Sequence, residues 1–527
     1  MHSKPKRFLA DSLLISGSHY PDKIAVVVEG QPYRYGELLD QAQRLASALL
    51  ARGLQRGDRI AIYMDNTWPC IISIYAVALA GGAFLVINPQ TKADKLAYIL
   101  NDSEAGILLT DAHLKPVINE AVSACQSLRH VICSGKENTV QQDLAAVSVP
   151  VEYFDTVIAS ATPLATPAHI TPVDLAALIY TSGSTGNPKG VMHTHQSMTF
   201  ALGSLIEYLR LKHEHVMLNV LPFAFDYGLY QLLMAVELGA TLVLERSFTY
   251  PAVVFKRMQE YQVNVFPGVP TIFSMLLAAH ARAPLAFPAI ERVTNTAAAL
   301  PADYVPRLKQ IFPNALIYKM YGLTECKRVS YLEPEWIDTH ADSVGKAIPG
   351  TEVFLLNEQG QPAAPGERGI LHVRGPHLML GYWKQPELSA HMLKPGQLPH
   401  ERVLCTHDWF RMDEDGFLYF VGRSDDIIKT RGEKVSPIEV ENVLHGIEGV
   451  IEAAVIGWPD ELLGEKICAF VALAEDTGLS DKQIRKLCLN QLENFMAPQE
   501  IIILPSLPKT ATGKISKKLL KEHYATR

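Results

Sequence analysis

Cysteine pairs, an excess of positive charge and membrane-length apolar runs are all missing from this sequence. The seven cysteines (Cys70, Cys125, Cys133, Cys326, Cys405, Cys468 and Cys488) are odd in number, scattered and never spaced Cys-x-x-Cys. That excludes a disulfide framework and a cysteine-ligated zinc site, and predicts a reducing, cytoplasmic setting. Lysine and arginine number 48 against 55 aspartates and glutamates, a formal charge of -7, whereas a nucleic-acid binder needs a basic face. The longest apolar run, residues 71–87, falls short of the roughly 20 residues that a membrane span needs. Gly81-Gly82 divides it into a buried helix, a turn and a buried strand over 83–87, ending at Asn88-Pro89. Near the N-terminus, Asp11 interrupts the apolar stretch and no small-residue cleavage site follows, so no signal peptide is predicted.

What is present is ordinary in bulk and informative in order. The 527 residues are 48% apolar and 20% charged, and that length suggests roughly three or four domain-sized units. Up to about residue 420, amphipathic helical stretches alternate with short apolar strands. Residues 35–53, with leucines and alanines at helical spacing and Gly53 as a stop, lead into a strand over 59–64. Such alternation predicts α/β layers with mostly parallel sheets. Around 352–373 the texture turns to strand-like pieces separated by Gly and Pro, a β-rich subdomain. A hairpin turned at Gly416 leads into a charged connector over 423–426. Beyond it, a helix over 437–445, a strand over 451–456 and a helix over 481–493 predict a small α+β domain with a lysine-rich tail. The fold class is therefore α/β: a large N-terminal domain of layered α/β subdomains with a β-rich subdomain, then a small mobile α+β C-terminal domain.

The strongest local signal is Tyr180-Thr-Ser-Gly-Ser-Thr-Gly-Asn-Pro-Lys-Gly190, which follows an apolar strand over 175–180. Gly183, Gly186 and Gly190 let backbone N–H groups approach an anion closely. Thr181, Ser182, Ser184 and Thr185 add hydroxyl donors, and Lys189 adds positive charge, as a polyphosphate requires. Lys189 is followed by Gly190 rather than Ser or Thr, which excludes a Walker P-loop. Further along stand Tyr321-Gly-Leu-Thr-Glu325, Gly366-Glu-Arg-Gly369, Asp408, Gly422-Arg-Ser-Asp-Asp426 and Lys509-Thr-Ala-Thr-Gly-Lys514.

This ordered set resembles the adenylate-forming superfamily, which comprises acyl- and aryl-CoA ligases, adenylation domains of nonribosomal peptide synthetases, and luciferases. The resemblance runs over nearly the whole chain. It implies ATP and Mg2+ as co-substrate and metal, held by the 181–189 loop, with Tyr321 on the adenine, Gly322 and Thr324 beside it, Thr324 on the α-phosphate, and Glu325 with Thr185 on the metal. A hard cation wants such oxygen ligands. Ala297 and Ala298 match the small stretch passing the adenine; by themselves they read as a helix start before Pro301. Asp408, in Thr-His-Asp where the family has Thr-Gly-Asp, resembles the acceptor of both ribose hydroxyls. Arg423 resembles a ribose or phosphate contact at the joint, Asp425 the hinge, and Gly432 the residue that faces the pantetheine tunnel. The implied division is 1–423 and 424–527. Lys514 is the expected catalytic lysine, a cation able to bridge carboxylate and phosphate as two anions join. The tail around it also reads as a solvated amphipathic helix.

For the acid, Phe225-Asp226 resembles amino-acid-activating domains, whose aspartate pairs with the substrate ammonium. A buried carboxylate wants a cation, yet Asp226 could equally cap the helix beginning at Tyr227. Tyr227, Tyr230, Pro267, Thr294, Thr296, Met320 and Arg328 match other pocket positions. Arg328 could meet a second acidic group or point to solvent. The acceptor thiol is coenzyme A or a phosphopantetheinyl carrier protein; residues 431–434, Arg-Gly-Glu-Lys, favour a freestanding carrier. The expectation is thus an AMP-forming acid–thiol ligase loading an amino acid onto a carrier protein. The alternatives are a fatty- or aryl-acid CoA ligase and, more distantly, a non-catalytic binding relative or a luciferase-like oxidation. No nucleic acid or membrane span is expected.

Overall fold

The structure, a computed structural model, describes residues 6–135, 147–181, 187–301, 303–423, 426–430, 433–460, 463–474, 477–492, 494–510 and 513–526. Two large sheets dominate the N-terminal domain. One runs Lys346–Ala347, Ser330–Leu332, Leu316–Tyr321, Arg292–Asn295, Val265–Gly268, Val216–Asn219, Thr241–Leu244, Ile24–Val28 and Gln31–Arg34 across its width. Its six inner strands are parallel, and antiparallel strands close both edges. The other runs Gly381–Tyr382, Lys189–Thr194, Leu175–Thr181, Ala83–Ile87, Arg59–Tyr63, Ile107–Asp111, His130–Ser134 and Val151–Tyr153.

The helices between the two sheets explain the apolar run. Helix Trp68–Leu79 buries every residue except Pro69, because it packs against helices Leu9–His19 and Tyr35–Ala51 and strands Arg59–Tyr63 and Ala83–Ile87, in one core that also holds Leu218 and Leu242 of the other sheet. A helix enclosed on all sides gains from being apolar all round. Gly81, at φ +77°, then turns the chain into strand Ala83–Ile87. Helix Tyr35–Ala51 lies against helix Trp68–Leu79 and buries one face, with Tyr35, Leu38, Ala42, Leu45, Ala46, Ala48 and Leu49 on it. It stops where Gly53 adopts φ +83°.

A third, antiparallel sheet (Glu352–Leu356, Arg368–Arg374, Leu393–Pro395, Arg402–Met412 and Leu418–Arg423) forms the β-rich subdomain. The small C-terminal domain has its own sheet of Ile428–Thr430, Glu433–Val435, Val450–Asp460, Gly464–Leu473 and Glu500–Ile503, with a separate core around Ile428, Val455 and Val471. Two expected boundaries shift there. The strand expected at 451–456 extends over Val450–Asp460, since it pairs along its whole length with Gly464–Leu473. The helix expected at 481–493 is Asp481–Leu489, capped by Asn490. Among the described residues no helix is long and apolar enough to cross a membrane.

Candidate functional site

The strands of both large sheets deliver their ends, and the loops that follow, to one cleft, the usual location for ligands in α/β sheets. Strand Leu175–Thr181 pairs antiparallel with Lys189–Thr194, Thr181 opposite Lys189. The loop between them is therefore anchored at both ends. Ser182, Gly183, Ser184, Thr185 and Gly186 lie outside the described residues. Among the described residues the buried Thr181 Oγ1 has no hydrogen-bond partner, an orphaned polar atom that a ligand oxygen would satisfy. Lys189 Nζ donates to the Tyr382 hydroxyl at 2.8 Å and stands 3.5 Å from Glu325 Oε1. The Tyr382 hydroxyl in turn donates to Glu325 Oε1 at 2.6 Å. Burial, and then the Glu325 charge, push the Tyr382 phenol far above its ordinary value, so it stays a donor.

Glu325 lies on the tight loop between strands Leu316–Tyr321 and Ser330–Leu332. Gly322 allows the loop to fold: a Cβ there would stand 2.4 Å from the Lys327 carbonyl oxygen and 2.9 Å from the Arg328 Cα. Lys327 itself adopts φ +62°. His193 fixes the loop from the neighbouring sheet, its Nε2 2.7 Å from the Thr324 carbonyl oxygen. Burial lowers the His193 pKa. The ring is therefore neutral, and Nε2 carries the proton because a carbonyl can only accept.

Tyr321 closes the opposite wall. Its hydroxyl donates to Asp408 Oδ2 at 2.5 Å and its ring meets the Phe410 edge, centroids 4.9 Å apart. Asp408 pairs in register with Arg423 across two antiparallel strands, and the Arg423 Nε is 3.5 Å from Asp408 Oδ1. Burial pushes the Asp408 carboxyl up to about 6, against the pull of Arg423 and Tyr321. His407, where the family has glycine, holds φ +57°, a left-handed conformation that explains the family's preference. It stacks on His391 at 4.3 Å. Ala297 has φ +78° and, with Ala298, forms a bend rather than the start of a helix; the next helix is Tyr304–Ile311. A residue held in the left-handed region cannot begin a right-handed helix.

At the other end of the cleft the structure corrects one alternative for Asp226. Phe225 is the N-cap of helix Asp226–Leu238, and no side-chain cap bond forms. Asp226 is the first helical residue, and its Oδ2 lies 3.6 Å from Lys327 Nζ. Lys327 sits 4.4 Å above the Tyr230 ring and 5.6 Å from that of Tyr227. Burial drives its ammonium down to about 7, with Asp226 opposing the shift and Arg328 adding to it. Tyr227 shares a 2.6 Å hydrogen bond with Thr294 Oγ1, Arg328 Nη1 donates to Thr296 Oγ1, and Met320 Sδ accepts from Tyr208 at 2.9 Å. Pro267 pairs in register with Thr294 on the adjacent strand. Arg328 does not point to solvent; it is 1% exposed.

Lys514 arrives from the small domain. Its backbone lies in a turn closed by Thr510, beside a bridge from Lys509 to Ile515. The tail helix, Lys517–Ala525, begins only after the Ser516 cap. The amphipathic helix and Lys514 are therefore different parts of the tail. Gly513 brings this turn to Thr271, where a Cβ would stand 3.0 Å from the hydroxyl oxygen. Lys514 Nζ lies 6.0 Å from the Phe225 ring centroid. Its side chain reaches solvent through the open cleft, yet crowding by protein lowers its pKa. Arg423 adds to that shift, and Asp226 and Asp408 oppose it. Asp425 and Gly432 lie outside the described residues.

Sequence reasoning missed Tyr382, His193 and Lys327. Tyr382 had a faint signal in Gly381-Tyr-Trp-Lys-Gln-Pro-Glu387, an aromatic pair just ahead of a helix start. Nothing in the sequence marks His193 or Lys327, whose partners come from distant segments.

Comparison with known proteins agrees with this geometry. The AMP-binding enzyme family model matches residues 15–383, and the model of the AMP-binding enzyme C-terminal domain matches 439–514. The long-chain-fatty-acid–CoA ligase of Bacillus subtilis (strain 168) is 31% identical over 98% of this chain and 95% of that protein. The oxalate–CoA ligase of Arabidopsis thaliana is 31% identical over 96% of each. The crystal structure of the anthranilate CoA ligase AuaEII with anthranoyl-AMP superposes with a TM-score of 0.88 at 25% identity, covering 98% of this chain and 97% of that one. The chain belongs to the AMP-binding enzyme family, within the adenylate-forming superfamily, and is an AMP-forming ligase.

Proposed function

We propose that the protein joins a small polar carboxylic acid to the α-phosphate of ATP, releases pyrophosphate, and passes the acyl group to the pantetheine thiol of coenzyme A. One observation carries this reading. The Lys514 ammonium stands between two ends of one cleft, close enough to sense Asp408 and Arg423 on one side and Asp226 on the other. A carboxylate oxygen attacking phosphorus brings two anions together, and a cation held between them stabilises the transition state.

The remaining roles follow from the donors present. Tyr321, Asp408, Arg423, Gly322, Ala297 and Ala298 would frame the nucleoside; Thr181, Lys189, Thr324 and the 182–186 loop would hold the phosphates. Glu325, with Thr185, would hold Mg2+, which neutralises charge as pyrophosphate leaves. The donor set suits it: a carboxylate bonded to a phenol and a lysine can trade those partners for a cation and an anion. We further read the chain as units 1–423 and 424–527 turning at Asp425, so that Lys514 withdraws and Gly432 admits the thiol. The thiol sulfur then attacks the acyl carbon, the bond to AMP breaks, and the thiol proton leaves to solvent.

The second reading, an amino acid loaded onto a carrier protein, draws support from the same aspartate. At 3.6 Å the Asp226–Lys327 pair is loose, and a substrate ammonium could replace Lys327. The CoA-ligase reading requires no such exchange. Pyrophosphate release with a panel of amino acids and plain carboxylic acids, each offered coenzyme A or a holo-carrier protein, separates the two. Exchange confined to amino acids with thioester only on the carrier would replace the first reading by the second. Lack of pyrophosphate with every acid would remove both.

A further inference from the structure

We infer that the acid activated here carries a second anionic group, a carboxylate, which seats against Arg328 with Lys327 beside it. The inference rests on the reading of this cleft as the acid's site, and it names the class of acid. The argument begins with charge. Asp226, Lys327 and Arg328 are all buried, at 8%, 4% and 1% exposure. One carboxylate therefore faces two cations, and it is spent on Lys327. Among the described residues no carboxylate reaches Arg328, and its Nε is buried with no hydrogen-bond partner. The Thr296 hydroxyl that accepts from Nη1, the Tyr208 hydroxyl and the Tyr227 ring at 5.8 Å are neutral neighbours, and the charged group that Arg328 senses nearby is another cation, Lys327.

A guanidinium cannot shed its proton to escape burial, whereas a lysine can. A buried cation without a counter-ion is costly, so a fold that keeps one at the acid site proposed above has left the counter-ion to the substrate. Placement agrees with charge. Thr294 and Thr296 close the end of strand Arg292–Asn295, and Phe225, which Lys514 faces, is joined directly to Asp226. From Lys514 to Arg328 the cleft thus has a cation at each end, suited to a short acid anionic at both. A long alkyl chain would have to lie against this charged wall. The loop geometry leaves little alternative placement, because Gly322 fits only with the backbone of Lys327 and Arg328 folded onto it.

The test measures pyrophosphate release by the full-length protein with Mg-ATP and coenzyme A. Malonate, succinate and glutarate are compared with their monomethyl esters and with butyrate and valerate; aspartate and glutamate are compared with asparagine and glutamine. Diacids should exceed their neutral counterparts by roughly 100-fold in kcat/KM, since a buried donor left unpaired penalises the analogue. Arg328→Leu should collapse that ratio to within a few-fold, while Arg328→Lys keeps part of it. A merely structural Arg328 would change melting temperature and leave the ratio intact, which overturns the inference. If Arg328→Leu fails to fold, the wild-type ratio decides alone. Equal or better use of the monocarboxylates overturns the inference and leaves the ligase reading standing. Pyrophosphate with neither class overturns both.

Discussion

The two ends of the cleft handle charge in opposite ways. At the end we assign to the nucleotide, each carboxylate has both a phenol and a cation: Asp408 has Tyr321 and Arg423, and Glu325 has Tyr382 and Lys189. At the acyl end two cations share one carboxylate, and the Tyr227 hydroxyl is spent on Thr294 instead of a charge. The first arrangement suits a site that must release partners to a ligand common to the whole family. The second suits a site whose complement arrives with one particular substrate. Shared chemistry is thus held in reserve by internal pairs, and selectivity by an imbalance.

The sharpest way to separate the ends is to remove the group between them. Lys514→Ala should lower acid-dependent pyrophosphate release by about 100- to 1000-fold, while thioester formation from supplied acyl-adenylate stays near wild type. Equal losses in both steps would mean that Lys514 serves folding or docking instead. Next in size is Asp226→Asn, which leaves two buried cations without a carboxylate. Equilibrium unfolding at pH 7 should show about 2 kcal/mol lost, discounted because Lys327 can neutralise itself. Lys327 is driven down to about 7, so its folded form holds its proton less tightly than the unfolded chain. The penalty should therefore shrink as pH rises above 7. No change in stability would break the contrast at the acyl end.

These two predictions differ in how far the sequence foretold them. Lys514 was legible because Thr-Gly-Lys closes an ordered series of motifs, and each motif is a local run whose geometry travels with it. The layered α/β fold was legible for the same reason: helix Tyr35–Ala51 states its helical period, and strand Ala83–Ile87 its short unbroken apolar run, in the chain itself. The Asp226–Lys327 pair was not legible, since it depends on a helix start and a loop from separate strands meeting in space. His193 under Thr324 is hidden likewise. Sequence offered Asp226 a cap or a substrate ammonium, and the partner it found was a lysine of its own chain.

A smaller effect tests the nucleotide end by pH. The Asp408 carboxyl, pushed up to about 6, should lose its charge as pH falls, and the KM for ATP should rise up to about tenfold between pH 7 and pH 5. The sign for stability is the reverse. A raised carboxyl pKa favours the folded state at low pH, and that contribution is lost as pH rises through about 6. An ATP KM flat across this range would detach Asp408 from the ribose. Smallest is His407→Gly, which relieves a left-handed backbone at φ +57° but forfeits the stack on His391. Thermal melting should move by no more than about 1 kcal/mol equivalent, with ATP affinity unchanged.

The turn pinned at Gly322 has a consequence for how such an enzyme can diversify. Thr324 and Glu325 at its crest and Lys327 and Arg328 at its foot share one short piece of backbone, locked by contacts that tolerate no added methyl group. A lineage drifting toward a new acid by substitution at its foot would disturb the crest as well. On the roles we propose, taste for substrate and competence in chemistry are inherited as a single unit, so successful variants should alter both together or revise the pocket from the helix that starts at Asp226.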